Sequence, residues 1–117
     1  MTDDSEFLLD LDMLVDHSSF GIYSQKLQHQ VILVRKADQI FGWLDACPHY
    51  AQGTSLAWKK HQYLNSQGSH IVCFAHGAQF EIETGKCISG PCVNQYLIPV
   101  QIVIKQKQIR LIKATNI

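Results

Sequence analysis

The apolar positions of this chain fall in strand-length bursts separated by polar and turn-forming residues, and the period that recurs is two. Residues 30–36 and 39–45 are β-branched and aromatic segments joined by Ala37 and Asp38, which predicts an antiparallel hairpin. A strand is expected before it over residues 20–23. Further along, residues 69–73, 78–83, 97–105 and 108–113 have the same character, with Thr84-Gly85 and Gln106-Lys107 as reversal points. In the last pair Ile109 and Leu111 alternate with Arg110, and Val100, Ile102 and Ile104 share one parity, as half-buried strands require. Pro99 cannot donate to a ladder, so it predicts an edge position or a bulge early in its strand. A helical period competes only over residues 8–15, where Leu8, Leu11, Met13, Leu14 and Val15 could share a face, although Leu9 and Leu11 fit alternation as well.

The pattern therefore predicts an all-β, antiparallel protein, with residues 47–82 forming an excursion rich in Cys, His and Gly. At 117 residues there is room for one domain, and no repeat or Pro/Gly-rich linker divides it. Apolar residues make up 46% and charged ones 17%, so a packed core is expected rather than disorder. Ten basic residues balance ten acidic ones, which leaves no electrostatic footprint for nucleic acid or anionic lipid. The N-terminal stretch is acidic where a secretory signal needs a basic and then an apolar region, and the longest apolar runs are strand-sized. The expectation is a cytoplasmic protein without a membrane partner. In that reducing compartment four cysteines point to metal ligation or plain thiols before disulfides.

Cys47-Pro48-His49 and Cys73-Phe74-Ala75-His76 carry the candidate chemistry. Each short segment offers one thiolate and one imidazole, and together they make a set of two soft sulfurs and two borderline nitrogens. That set suits zinc or an iron-sulfur centre and not magnesium or calcium. Zinc modules of this composition commonly open with C-x-x-C, and in the finger both histidines follow the cysteines. The order here is Cys, His, Cys, His, which favours a [2Fe-2S] cluster with two cysteines on one iron and two histidines on the other. Neutral imidazoles make such a cluster less negative than an all-cysteine one, and so easier to reduce. Gly77 permits close backbone approach after His76, Pro48 stiffens the first segment, and Gly90-Pro91-Cys92 could cover a remaining face and exclude water.

With C-P-H-Y, then I-V-C-F-A-H-G-A-Q-F, then T-G-K-C and G-P-C in order, residues 31–112 resemble the Rieske 2Fe-2S family. The resemblance implies the Rieske fold, a base of antiparallel β-sheets with an inserted cluster-binding subdomain at about residues 46–82. It also implies one Rieske-type 2Fe-2S cluster per chain, with Cys47 and Cys73 on the inner iron and His49 and His76 on the outer. Rieske proteins of the respiratory and photosynthetic complexes have a further cysteine in each ligand loop. Those positions are matched here by Gln52 and Ala75, so the corresponding disulfide cannot form. The same proteins place a serine and a tyrosine where this chain has Ala78 and Phe80. Fewer donors to the cluster predict a potential near the low end of the Rieske range, roughly −150 mV, as in the ferredoxin type. Ala51, where many Rieske ferredoxins have glycine, and an insertion-like stretch at residues 58–65 depart from the ferredoxin pattern. That stretch is read as a solvated hairpin extension, with partner docking as the alternative.

Cys87 and Cys92 could pair, tune the cluster or be reactive, but a reducing cytosol favours two thiols in a turn. His17, His29, His61 and His70 lack a ligand partner at useful spacing and are read as surface or backbone-satisfied histidines. Trp43 fits a core strand position, and Trp58 fits either core or docking. No nucleophile elbow, P-loop or dinucleotide fingerprint is present, so the chain is read as a non-enzymatic, monomeric carrier of single electrons. Its expected partners are a flavin-dependent reductase and a terminal oxygenase or other redox enzyme. The rivals are a permanent small subunit of an oxidoreductase, nitrite-reductase-like or dioxygenase, and a structural zinc module.

Overall fold

The computed structural model describes residues 5–46, 56–57, 61–74 and 77–114. Its strands are β1 (Glu6–Asp10), β2 (Ser18–Ser24), β3 (His29–Lys36), β4 (Gln39–Leu44), β5 (His70–Cys73), β6 (Ala78–Glu81), β7 (Cys87–Ser89), β8 (Val100–Lys105) and β9 (Gln108–Ala114). They form three antiparallel sheets with strand orders β1-β9-β8, β2-β3-β4 and β5-β6-β7. Among the described residues no helix is long and apolar enough to cross a membrane.

The middle of the molecule is set by one strand. In β3 the four consecutive residues Val31, Ile32, Leu33 and Val34 are all inaccessible to solvent. Since successive side chains point to opposite faces, Val31 and Leu33 enter one core while Ile32 and Val34 enter another. The first core lies against β1, β8 and β9 and holds Leu9, Val100, Ile109 and Leu111. The second lies against the excursion and holds Leu56, Tyr63, Ile71, Phe80 and Leu97. The β2-β3-β4 sheet is thus covered on both faces, and each of those four β3 side chains contributes about 1.5–3 kcal/mol of burial.

The predicted strands recur with shifted ends, and the choice between helix and strand left open over residues 8–15 is resolved. Residues 8–15 do not make a helix: Leu8 and Leu9 lie in β1, and Leu11–Met13 form a single 3-10 turn. The open edge of β9 supplies a ladder for Glu6, Phe7, Leu9 and Asp10, and an irregularity between Phe7 and Leu9 lets both leucines face inward. The strand expected from residue 97 begins at Val100, at the edge of its sheet, after Pro99 makes an isolated bridge to Trp43. The shared parity of Val100, Ile102 and Ile104 does not give equal burial, because the ladder shifts between Gln101 and Ile102 and Ile104 is exposed.

Two hairpins turn without glycine. Ala37, between β3 and β4, sits at φ +55° and donates its N–H to Asp16 Oδ1 at 2.6 Å. Gln106 and Lys107, between β8 and β9, lie at φ +51° and +63°. Both central residues in the left-handed region is the geometry that matches the twist of the flanking strands, and it is costly for residues with a Cβ.

Candidate metal centre

Of the four candidate ligands, Cys73 is described, and Cys47, His49 and His76 lie outside the described residues, as do Pro48, Ala51, Gln52, Trp58 and Ala75. Among the described residues no three His, Cys, Asp or Glu side chains are grouped closely enough to hold a metal ion. What the structure defines is the frame from which the two ligand segments depart and to which they return.

The first segment leaves from the end of β4. Period-two alternation sends Trp43 toward the excursion, Leu44 toward the opposite core, and Asp45 back toward the excursion. Asp45 keeps the strand register by donating its N–H to Gln30 O at 2.9 Å. Its carboxylate is buried and accepts from Leu56 N at 2.8 Å and from the Tyr63 hydroxyl at 2.8 Å. Residue 45 precedes the Cys47 segment and residue 56 follows it, so one carboxylate fastens both ends of that segment.

The second segment leaves from β5. Cys73 is fully buried at the strand's end and pairs with Ala78, the first residue of β6. Gly77 N donates to Cys73 O at 2.7 Å with Gly77 at φ +73°, a conformation glycine adopts without penalty. The two segments are tied together directly: Phe74 N donates to Leu56 O at 2.9 Å. Asp45, Leu56 and Phe74 therefore form one hydrogen-bonded chain linking the flanks of both.

A third element closes on this frame. After β7 the chain turns at Gly90, which lies at φ +99°, and a Cβ there would come within 2.7 Å of Ala78 Cα. The Gly-Pro loop thus packs on the strand that begins two residues after His76. Within it the Cys87 and Cys92 side chains are fully buried with their sulfurs 2.8 Å apart. The sequence reading of two thiols in a turn gave no sign of their full burial or their proximity.

The insertion-like stretch is a second correction. Residues 61–65 line up beside β5, with Val72 N donating to Tyr63 O at 2.8 Å, Asn65 N to His70 O at 3.0 Å, and a bridge from Leu64 to Ile71. Tyr63 is 1% exposed and anchors the stretch in the core, while Gln62 is exposed and His61, Leu64 and Asn65 are half-buried, so the described part is not a wholly solvated extension. Its ring lies against Gly21, where a Cβ would collide with the hydroxyl. Burial raises the Tyr63 hydroxyl well above the ordinary tyrosine range; Gln30 opposes the shift and the Asp45 carboxylate adds to it.

The histidines set aside from the sequence are held locally. His61 accepts from Gly21 N through Nδ1 at 2.9 Å and stacks on Phe20 with ring centroids 3.8 Å apart. His29 Nδ1 lies 2.9 Å from Gln30 O, His70 Nδ1 2.9 Å from Ser69 Oγ, and exposed His17 2.9 Å from Asp16. Asp45 and Tyr63 are the residues the sequence reading missed. The available signal was parity: Asp45 continues β4 on a buried face, two residues before Cys47.

The described residues fit a Rieske cluster as far as they reach. A buried thiol ends one strand, a glycine turn follows it, and the positions that carry hydroxyls in high-potential relatives hold Ala78 and Phe80, both fully buried. Residues 18–110 match the family model described as the Rieske [2Fe-2S] domain. No curated protein sequence matches the chain. Among solved structures, it is similar to the ferredoxin of carbazole 1,9a-dioxygenase from Nocardioides aromaticivorans IC177, at 18% identity and TM-score 0.73, covering 95% of this chain and 99% of that one. A chain from the complex of reduced oxygenase and oxidized ferredoxin in carbazole 1,9a-dioxygenase matches at 19% identity and TM-score 0.72, covering 94% of each. A putative nitrite reductase NADPH small subunit matches at 14% identity and TM-score 0.66, covering 94% of this chain and 99% of that one.

Proposed function

Since the chain belongs to the Rieske [2Fe-2S] domain family, and so is an electron-transfer protein with a Rieske cluster, we propose that Cys47, His49, Cys73 and His76 hold that cluster and that the protein is a ferredoxin component of an oxygenase system. It takes one electron at a time from a flavin-dependent reductase and delivers it to a terminal oxygenase. When bound, the cluster supplies a reversible one-electron couple. Cys47 and Cys73 would hold one iron, and His49 and His76 the other. Residues 46–82 act as the cluster-binding subdomain inserted in the β base. The protein works as a cytoplasmic monomer and transforms no substrate itself.

The observation that carries this reading is the double tie around the ligand segments. Asp45 Oδ1 accepts from Leu56 N, and Leu56 O accepts from Phe74 N next to Cys73, which fixes the flanks of a C-x-H and a C-x-x-H segment against each other. The similarity to the ferredoxin of carbazole 1,9a-dioxygenase over nearly the full length of both chains supports a ferredoxin-type carrier. Apolar, buried Ala78 and Phe80 place no hydroxyl beside the cluster, which favours a potential of roughly −150 mV.

Anoxically purified protein is expected to be red-brown, with two irons and two acid-labile sulfides per chain. A colourless protein holding stoichiometric zinc and no iron would contradict the proposal. A second reading, a permanent small subunit of an oxidoreductase, draws on the similarity to the putative nitrite reductase small subunit. Co-purification with a larger chain at fixed stoichiometry would favour that second reading over a transient carrier.

A further inference from the structure

Cys87 and Cys92 stand apart from the candidate ligands, and their setting is unusual for two thiols five residues apart. Residues 88–91 and 93–96 are all exposed, while the two cysteines are fully buried. Both sulfurs belong to the core that holds Phe80 and Leu97, while the loop residues around them face solvent. Their backbone is already fixed. Cys87 N donates to Gln95 O at 2.8 Å, Asn94 N donates to Cys87 O at 3.1 Å, and Gln95 N donates to Cys92 O at 2.8 Å. The Cys87 thiol lies 3.3 Å from Ser89 O, and the Cys92 thiol points at the Cys87 sulfur from 2.8 Å. A covalent bond needs about 2.05 Å, so the two sulfurs already stand close to bonding distance.

We propose that Cys87 and Cys92 form a peroxide-sensitive dithiol that closes to a disulfide within the Gly-Pro loop. One thiolate attacks an oxygen of hydrogen peroxide, the O–O bond breaks, and the sulfur becomes a sulfenic acid as the first water leaves. The second sulfur then attacks the first, the S–O bond breaks, and the hydroxyl departs with a proton as a second water. In total two thiols and one peroxide give one disulfide and two waters, with two electrons passing from sulfur to oxygen. Fixed proximity makes the second step outrun further oxidation of the sulfenic acid. The reverse reaction needs a dithiol reductant, which takes up the disulfide by thiol exchange. Because Gly90 of this loop packs on Ala78, closure stiffens the element lying against the start of β6. The pairing does not depend on the identity of the metal centre.

Peptide mass mapping of the full chain tests this. Tryptic cleavage after Lys86 and Lys105 places Cys87 and Cys92 alone in one peptide, with Cys47 and Cys73 in two others. The purified holoprotein is treated with hydrogen peroxide, denatured in acid, alkylated and digested. The expected product is a peptide of residues 87–105 that is unalkylated and about 2 Da lighter than its reduced form, the mass of two hydrogens. After dithiothreitol it should become doubly alkylated. Peroxide-treated Cys92→Ser protein should instead accumulate a sulfenic acid at Cys87 that dimedone traps, or go on to the sulfinic acid. A doubly alkylated 87–105 peptide after treatment, separate sulfinic acids on both cysteines, or a bond from either to Cys47 or Cys73 would overturn the proposal. The wild-type map decides even if the serine variant does not fold.

Discussion

The hydroxyl of Tyr63 donates to Oδ2 of Asp45 at 2.8 Å, joining a residue of the 61–65 stretch to the last residues before the first ligand segment. Both groups are buried, so neither has water as a substitute partner. Removing the hydroxyl leaves a buried carboxylate oxygen short of a donor, which costs about 1–3 kcal/mol. Tyr63→Phe should therefore lower the unfolding free energy by that amount, read as a lower urea midpoint with little change in m. It should also release iron faster to a chelator, because the tie around the first ligand segment is loosened. Wild-type stability and chelation rates in the variant would contradict this role.

The same pair predicts an alkaline limit. The folded-state pKa of Tyr63 is raised above its unfolded value, mainly by burial. An unfolded tyrosine gives up its proton near pH ~10. Above that pH the unfolded chain binds fewer protons at this site than the folded one, so stability falls as pH rises. The contribution is complete below pH ~10 and is lost progressively as pH climbs from there toward the higher folded-state pKa. Comparing urea midpoints of wild type and Tyr63→Phe between neutral and strongly alkaline pH checks this: the difference between them should shrink above pH ~10, and a constant difference would refute it.

Gly85 and Gly77 share a φ of +73° but have different neighbours. A Cβ on Gly85 would come 2.6 Å from the Trp43 ring, whereas on Gly77 it would meet nothing within 4 Å. Gly77→Ala should cost about 1–2 kcal/mol, from backbone conformation alone. Gly85→Ala should cost a further ~1–3 kcal/mol for overpacking against the indole. Thermal unfolding of the two variants measures the gap, and equal losses would contradict the packing argument.

The β8–β9 turn offers a gain. Gln106 and Lys107 both occupy left-handed backbone, for which Asn-Gly is the preferred pair. Replacing them together as Gln106→Asn and Lys107→Gly should stabilise the fold by roughly 1 kcal/mol, since neither side chain is buried. Leu11 N donates to Lys107 O, a backbone contact that the substitution keeps. A lowered melting temperature would show that the side chains matter more than the turn conformation.

These particulars explain what was legible in the sequence. β-Branched runs such as Val31 to Val34 announced strands, because alternation and burial act within a few residues. The ligand segments stood out because Cys and His at short spacing have few other uses. Asp45 and Tyr63 did not stand out, since their pairing is a tertiary contact spanning 18 positions and follows from alternation only once β4 is placed. Residues 8–15 stayed ambiguous because local periodicity there fits two structures, and the choice between them was made by the edge of β9 some 100 positions away. β7 escaped because three residues with one buried side chain carry no period. The nearness of the Cys87 and Cys92 sulfurs depended on a turn through Gly90 that spacing alone does not define.

Histidine ligation means that His49 and His76 hold one iron of the cluster and Cys47 and Cys73 the other. Electron–nuclear double resonance on dithionite-reduced protein, grown with and without ¹⁵N-histidine, tests it most directly. Strong nitrogen couplings from two imidazoles that change with the label are expected, of which one is lost in His49→Cys and the other in His76→Cys if those variants retain a cluster. A reduced [2Fe-2S] signal without labelled nitrogen couplings would mean all-thiolate ligation and contradict the assignment.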